Sequence, residues 1–250
     1  MIERFIPQIP LVYLDYKPSK IKNKIILIPG FLSQKLAYYI GYLQGDGCLE
    51  SSLKRFSFTD ENIDQMKSIS DMTYDLFNIS GHIRTRFPKL SKKAVYTLEI
   101  GSVDVHRFIR TTFKMPVGVK INLSIPPQMY KHKDLLRWYL RGLFDADGTL
   151  PKDAMSVKQA FIDVTFKDKL FIEEIQKALL LFDIKTLRPY RRLAKSPHSN
   201  FISETWELRI RKKSDMLNFI NEIGFFSQNK AKRTKLLLRR LKAPVAQPGY

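Results

Sequence analysis

Leu140-Arg141-Gly142-Leu143-Phe144-Asp145-Ala146-Asp147-Gly148 and Tyr39-Ile40-Gly41-Tyr42-Leu43-Gln44-Gly45-Asp46-Gly47 decide the reading of this chain. Each stretch closes a helical run: Lys35 to Gln44, with Ser33 placed as N-cap, and Leu135 to about Asp145, with Asp134 placed as cap. The Gly45-Asp46-Gly47 and Ala146-Asp147-Gly148 ends carry helix-stopping chemistry. Small residues fall four apart in both, at Gly41 and Gly45 and at Gly142 and Ala146. Residues at i and i+4 share a helix face, and a stripe of small residues lets two helix backbones approach closely. If the two helices pack through that stripe, Asp46 and Asp147 emerge together at one end.

Two carboxylates held close repel unless one is protonated or a cation sits between them. Oxygen donors beside phosphate suit Mg²⁺, and divalent ions promote phosphodiester hydrolysis. The structural alternative is that both acids merely cap helix ends. It runs against the helix dipole, which disfavours an acid at a C-terminus.

Outward from these helices the order of elements repeats. After Gly47 come a strand at Phe56–Phe58, a helix from about Asp60 to Phe77, strands at 82–87 and 94–100, and a helix at 104–113. After Gly148 come a strand at 161–166, a helix at 168–182, strands at 184–188 and 205–211, and a helix at 215–223. The two Asp-Gly pairs lie 101 residues apart. The chain therefore reads as an α+β tandem duplication of an αββαββα unit. Its parts are an arm (1–34), a first repeat (35–123), a linker containing Pro126-Pro127 (124–134), a second repeat (135–242) and a frayed tail (243–250). In the arm, 11–13 and 25–28 are short strand candidates. Lys230 to Lys242 forms a basic amphipathic helix without any acid.

The 250 residues carry 43 Lys+Arg against 24 Asp+Glu, a formal charge of +19, and 44% are hydrophobic. A core can form, and a globular chain this basic points to a polyanionic partner. Cys48 is the lone cysteine, so a disulfide framework and a cysteine-based zinc site are excluded. No apolar run is long enough to span a membrane, and the N-terminus lacks a signal-peptide pattern. His82, His106, His132 and His198 show no zinc-ligand spacing, and no phosphate-binding Gly-rich loop occurs. The aromatics Tyr38, Tyr39, Tyr42, Trp138 and Tyr139 read as core.

The paired motifs resemble the repeated signature of LAGLIDADG homing endonucleases, in their single-chain, two-repeat form. Leu140–Gly148 matches that nine-residue pattern at seven positions and departs at Arg141 and Phe144. In the first copy Tyr39, Ile40, Tyr42, Gln44 and Gly45 depart, while Gly41, Asp46 and Gly47 hold. Gln44 replaces an acid that is not the family's metal ligand. The resemblance covers roughly residues 35–242.

It implies two repeats about a pseudo-twofold axis, the signature helices at the interface, and curved antiparallel sheets forming a saddle on the DNA major groove. It implies Asp46 and Asp147 as metal ligands, helped by the carbonyls of Gly45 and Ala146. Mg²⁺ is the expected ion, with Mn²⁺ substituting and Ca²⁺ supporting binding without cleavage. The expected product is a double-strand break with short 3′ overhangs in a long asymmetric site. Family members place a basic residue near each scissile phosphate, and Lys120 and Lys230 occupy corresponding stretches; ordinary phosphate contacts are the alternative.

Strand alternation selects the expected DNA face. It offers Lys54, Arg55, Ser57, His82, Arg84, Arg86, Thr97 and Glu99 in the first repeat. In the second it offers Lys158, Gln159, Asp163, Thr165, Arg188, Arg191, Arg192, Glu207, Arg209 and Arg211. Trp206, Leu208 and Ile210 should face the helices. For any single residue, a backbone contact or none is the commoner outcome.

The expectation is a monomeric, Mg²⁺-dependent, intron-encoded DNA endonuclease in the cytoplasm or nucleoid of a prokaryote or archaeon. The alternatives are an RNA maturase, which would bring RNA as a partner, and a DNA-binding regulator without cleavage.

Overall fold

The computed structural model describes residues 9–11, 20–21, 24–88, 93–151, 160–195 and 202–242. Two compact units divide the chain, Met1–Ala146 and Asp147–Tyr250.

In the first unit the arm contributes two small antiparallel ladders. β1 (Ile9–Pro10) pairs with β4 (Phe31–Leu32), and β2 (Lys20–Ile21) pairs with β3 (Lys24–Ile25). Of the two strand candidates placed here, 12–13 lies outside the described residues. Ile26–Ile28 is irregular, because the chain there docks on a helix end: the Leu27 N–H donates to the Phe77 carbonyl at 3.0 Å, which leaves that backbone no ladder.

α1 (Gln34–Asp46) starts as expected, with the Ser33 hydroxyl accepting from the Leu36 N–H. Its exit differs from expectation. Gly47 is extended, at φ −93° and ψ 170°, and the chain passes directly into β5 (Gly47–Leu49) rather than through a left-handed cap. Glycine is needed there for room: an added Cβ would stand 2.6 Å from the Leu43 carbonyl oxygen.

β6 (Arg55–Asp60), α2 (Ile63–Phe77), β7 (His82–Arg86), β8 (Val95–Gly101) and α3 (Val103–Phe113) follow. Asp60 ends a strand instead of opening α2, because Asn62 takes the cap and accepts from the Asp64 N–H. Ser102 caps α3. The sheet order is β5-β6-β8-β7, all antiparallel. Phe56, Phe58, Leu98 and Ile100 are buried on one face, as period-2 alternation requires.

A 3-10 turn at Pro127–Lys131 occupies the expected linker, pinned by Gln128 Nε2 donating to the Thr112 carbonyl at 2.7 Å. α4 (Lys133–Asp147) then begins one residue before Asp134. Asp134 is therefore not the cap. His132 Nδ1 accepts the Asp134 N–H, and the Asp134 carboxylate lies in the first turn, paired with Arg137, where the helix dipole favours it.

The second unit repeats the plan. β9 (Gly148–Thr149), β10 (Ile162–Phe166), α5 (Lys169–Leu180), β11 (Tyr190–Lys195), β12 (Ile202–Ile210), α6 (Lys213–Glu222) and α7 (Gln228–Lys242) run in order. The sheet is ordered β9-β10-β12-β11, so strands first to fourth take the same 1-2-4-3 order as in the first unit. That identity of topology is the structural form of the repeat.

The strand expected at 184–188 is absent. Ile184 is buried in the core, the Lys185 N–H donates to Asp215 and the Leu187 N–H to the Arg209 carbonyl. The ladder begins only after Pro189, which has no N–H to give. The expected tail, 243–250, lies outside the described residues.

Candidate functional site

The two signature helices meet within the first unit through their glycines. A Cβ on Gly41 would stand 2.9 Å from the carbonyl carbon of Tyr139 and 3.1 Å from the Leu143 nitrogen. A Cβ on Gly142 would stand 2.9 Å from the Tyr42 nitrogen. These distances fall below or at the edge of ordinary van der Waals contact, so the crossing tolerates hydrogen alone at both positions.

The aromatics around the crossing are core, as expected, but each buried hydroxyl has a partner. Tyr38 donates to Asp145 at 2.9 Å and Tyr139 to Gln44 at 2.8 Å, and Gln44 donates onward to the Ser124 carbonyl at 2.8 Å. Tyr42 donates to Asp60 at 2.6 Å, and Tyr39 shares a hydrogen bond with Thr73 at 2.8 Å. Burial, then the charges of Asp60 and Asp46, raise the Tyr42 hydroxyl's pKa, so it stays a donor. Gln44 and Asp145, the sixth letter of each motif, thus lock helix to helix and helix to linker.

Asp46 and Asp147 follow as the last residues of α1 and α4, both half-buried, each directly before a glycine that opens a strand. Gly45 and Ala146 are also half-buried. The Lys120 ammonium donates to the Gly45 carbonyl. This contact brings together two residues chosen separately from sequence, and it shows that a cation reaches the carbonyl end of α1.

Among the described residues no three His, Cys, Asp or Glu side chains gather as a metal cage. The donors at hand are carboxylate and carbonyl oxygens at electronegative helix ends. That set fits Mg²⁺, which is commonly held by one or two carboxylates and completed by substrate phosphates and water.

On the outer face of the first sheet the register lines up Ser57, Glu99 and His82 across three strands, and Thr59, Thr97 and Arg84 beside them. His82, Arg84, Arg86, Lys54 and Arg55 are exposed. Arg84 pairs with Glu99 at 3.3 Å, and Arg55 with Glu50 at 3.1 Å. Such exposed pairs are weak and exchange readily for other anions. The residues grouped from sequence do share this face, and Thr59, absent from that group, joins them.

The corresponding face of the second sheet is different in kind. Asp163, Thr165, Glu207 and Arg209 do share it, with Arg192. Asp163 and Glu207 are buried, however, and both bind Arg209, Asp163 at 3.2 Å. Arg209 lies over the Phe161 ring at 4.4 Å and near Tyr190 at 5.8 Å, and Arg192 approaches Glu207 at 3.6 Å. Arg209 is therefore a clamped side chain, not an open guanine reader. Phe161 and Tyr190 were missed, and only cross-strand register reveals them.

Arg191 pairs across from Trp206 and so lies on the opposite face from Arg192, bonded to Glu204 at 2.7 Å. Arg188 and Arg211 are exposed outside the strands. Lys158 and Gln159 lie outside the described residues. Lys230 sits in the first turn of α7. Leu208 and Ile210 are buried as expected, and the Lys169 ammonium lies over Trp206 at 5.0 Å.

Burial, then the hydrogen bond and charge of Glu207, push the Asp163 carboxyl up to about 7 against the pull of Arg209. Glu207 moves the other way. Burial opposes its ionisation, but Tyr190, Asp163 and Arg209 hold it below the usual carboxylate range.

The folded chain thus keeps a proton on Asp163 that the unfolded chain releases near pH 4. Its contribution to stability is complete below that pH and is lost as pH rises through about 7. The Glu207 contribution is already complete in that upper range. Between pH 5 and pH 8 the melting temperature is expected to fall by roughly 5 °C. Asp163→Asn, which mimics the protonated acid, should flatten that profile. A wild-type melting curve unchanged across the range would refute the assignment.

Two antiparallel sheet-and-helix repeats, each led by a helix that ends in Asp-Gly at the sheet's first strand, define the LAGLIDADG architecture. A family model for LAGLIDADG-like domains matches residues 33–112 and 134–224. The chain belongs to that family.

Two curated relatives come from Methanocaldococcus jannaschii. One is a glutamine–fructose-6-phosphate aminotransferase, 29% identical over 218 residues, which cover 87% of this chain and 18% of that protein. The other is a replication factor C small subunit, 26% identical over 202 residues, covering 80% of this chain and 10% of that protein. The chain spans less than a fifth of the length of these relatives.

Among solved structures, full-length WhiA from Thermotoga maritima matches with a TM-score of 0.52 at 14% identity, over 88% of this chain and 65% of WhiA. I-DmoI in complex with DNA and Mn matches at 0.50 and 15% identity, over 77% of this chain and 97% of I-DmoI. At these identities the likeness is one of fold. Among the described residues no helix is long and apolar enough to cross a membrane.

Proposed function

We propose that this chain is a site-specific, metal-dependent DNA endonuclease of the homing type, making a double-strand break with short 3′ overhangs in a long asymmetric site. The observation that carries the reading is the retention of Asp46 and Asp147 at the same place in both repeats, at a helix end where the dipole disfavours an acid. Their cost is accounted for by a cation. Asp46 with the Gly45 carbonyl, and Asp147 with the Ala146 carbonyl, would hold Mg²⁺. When bound, the ion supplies Lewis-acid activation of water and phosphodiester.

The chain's own groups supply the rest. Lys120, delivered to the Gly45 carbonyl, brings positive charge to the end of α1, where a phosphate's developing charge needs it. Lys230 is assigned the same role in the second repeat. The exposed arginines of β6 and β7 engage double-stranded DNA; I-DmoI, which shares the fold, is known in complex with DNA and Mn. The two relatives share this segment although their names share no chemistry. Neither named activity passes to this chain, which spans less than a fifth of each relative.

The second reading is a LAGLIDADG-type maturase or DNA-binding regulator that keeps the fold without cleavage; WhiA shares that fold. One experiment separates them: incubate the protein with a randomised duplex pool in Mg²⁺ and in Ca²⁺, and sequence both bound and cut molecules. A cut consensus with uniform 3′ overhangs in Mg²⁺ only is expected. A bound consensus that is never cut in either ion would establish the second reading.

A further inference from the structure

α7 buries Thr234, Leu237 and Leu241. Lys232, Lys235, Arg239 and Lys242 are exposed on its other side. Spacings of three, four and three residues place these four on one arc of the helix, in a row about 15 Å long at 1.5 Å per residue. The helix contains no acid, and among the described residues none of the four meets a carboxylate.

Other exposed helix faces in the chain are built differently. On α2 Lys67 lies by Asp64, and Asp75 receives Lys35; on α5 Lys169 pairs with Glu173. Three successive like-charge neighbours along α7 repel one another and weaken the helix in isolation. An anionic partner removes that penalty. Leu237 and Leu241 are turned inward on the protein while Leu236 is 37% exposed, so the outward surface offers a partner mainly charge. A membrane-seeking helix would present its apolar face outward instead.

We infer that α7 is a sequence-independent clamp on the phosphate backbone of duplex DNA, with Lys232, Lys235, Arg239 and Lys242 as its contacts, separate from the sheet faces. The inference rests on the DNA-binding reading above. Flexible basic side chains on phosphates position a protein and carry no sequence information. Each neutralised phosphate releases counterions, so each such contact steepens the salt dependence of binding by about 0.9 in log–log slope.

The test compares the intact protein with K232Q/K235Q/R239Q/K242Q on a scrambled duplex of about 30 base pairs, without divalent ion, from 50 to 300 mM KCl. The expected slope is shallower by about 3.6, and affinity near 0.1 M salt falls roughly 10²- to 10³-fold. The pair K232Q/K235Q alone should give about half the slope change. The loss should be equal on target and scrambled duplex. A variant with wild-type slope overturns the clamp while the intact protein still binds DNA. Salt-dependent binding that the intact protein shows for phosphatidylserine vesicles but not for duplex overturns the clamp and the DNA reading together. Circular-dichroism melting of each variant tells lost contacts from lost fold.

Discussion

Asp46→Asn or Asp147→Asn is expected to abolish double-strand cleavage while DNA affinity, measured in Ca²⁺, stays within a few-fold. Asparagine keeps the shape and one oxygen but removes the charge, and both residues are half-buried at helix ends rather than packed in the core. Losing the acid even relieves an unfavourable dipole interaction, so melting should hold or rise slightly. Removing a directed electrostatic stabiliser of this kind typically costs about 10² to 10³ in rate, and a lost metal ligand more. Binding draws instead on a chain of net charge +19. Cleavage at the wild-type rate by either variant would eliminate the shared role of the two carboxylates. Loss of affinity parallel to loss of cutting would recast them as structural.

Gly41→Val and Gly142→Val should each destabilise the first unit by about 3 kcal/mol or more, the upper end for overpacking. The usual escape from overpacking is a rotamer change in a neighbour. Here the neighbours are backbone: the Tyr139 carbonyl and Leu143 nitrogen against Gly41, and the Tyr38 carbonyl and Tyr42 nitrogen against Gly142. Relief requires the two helices to separate, which would also stretch the Tyr38–Asp145 and Tyr139–Gln44 hydrogen bonds. A drop in melting temperature of roughly 6–12 °C is expected. Gly30→Ala is the control, since nothing lies within 4 Å of its added Cβ. Equal effects at Gly30 and Gly41 would show that flexibility, not the crossing, underlies the loss.

The long helices were legible because their apolar spacing, and at α1 the Ser33 cap, are local signals. Gly41 and Gly142 were legible as a close approach because only a missing Cβ permits one. The strands β5 and β9 were not, since two or three residues carry no measurable alternation. The 184–188 segment reads as a strand although only Ile184 and Leu187 in it are apolar. Its donors go to Asp215 and to the Arg209 carbonyl, partners that no local window contains.

The candidate site divides along the same line. The chain by itself determined the duplicated plan, the basic character and the Asp-Gly end of each signature helix, because these are properties of composition and short-range spacing. Only the tertiary structure decided which outward-facing residues are open. Arg84 and Arg209 read alike on their strands, yet one is exposed and the other is clamped by Asp163, 46 residues away. Strand pairing brings distant residues to hydrogen-bond distance, and a charge's availability depends on those neighbours rather than on its own strand.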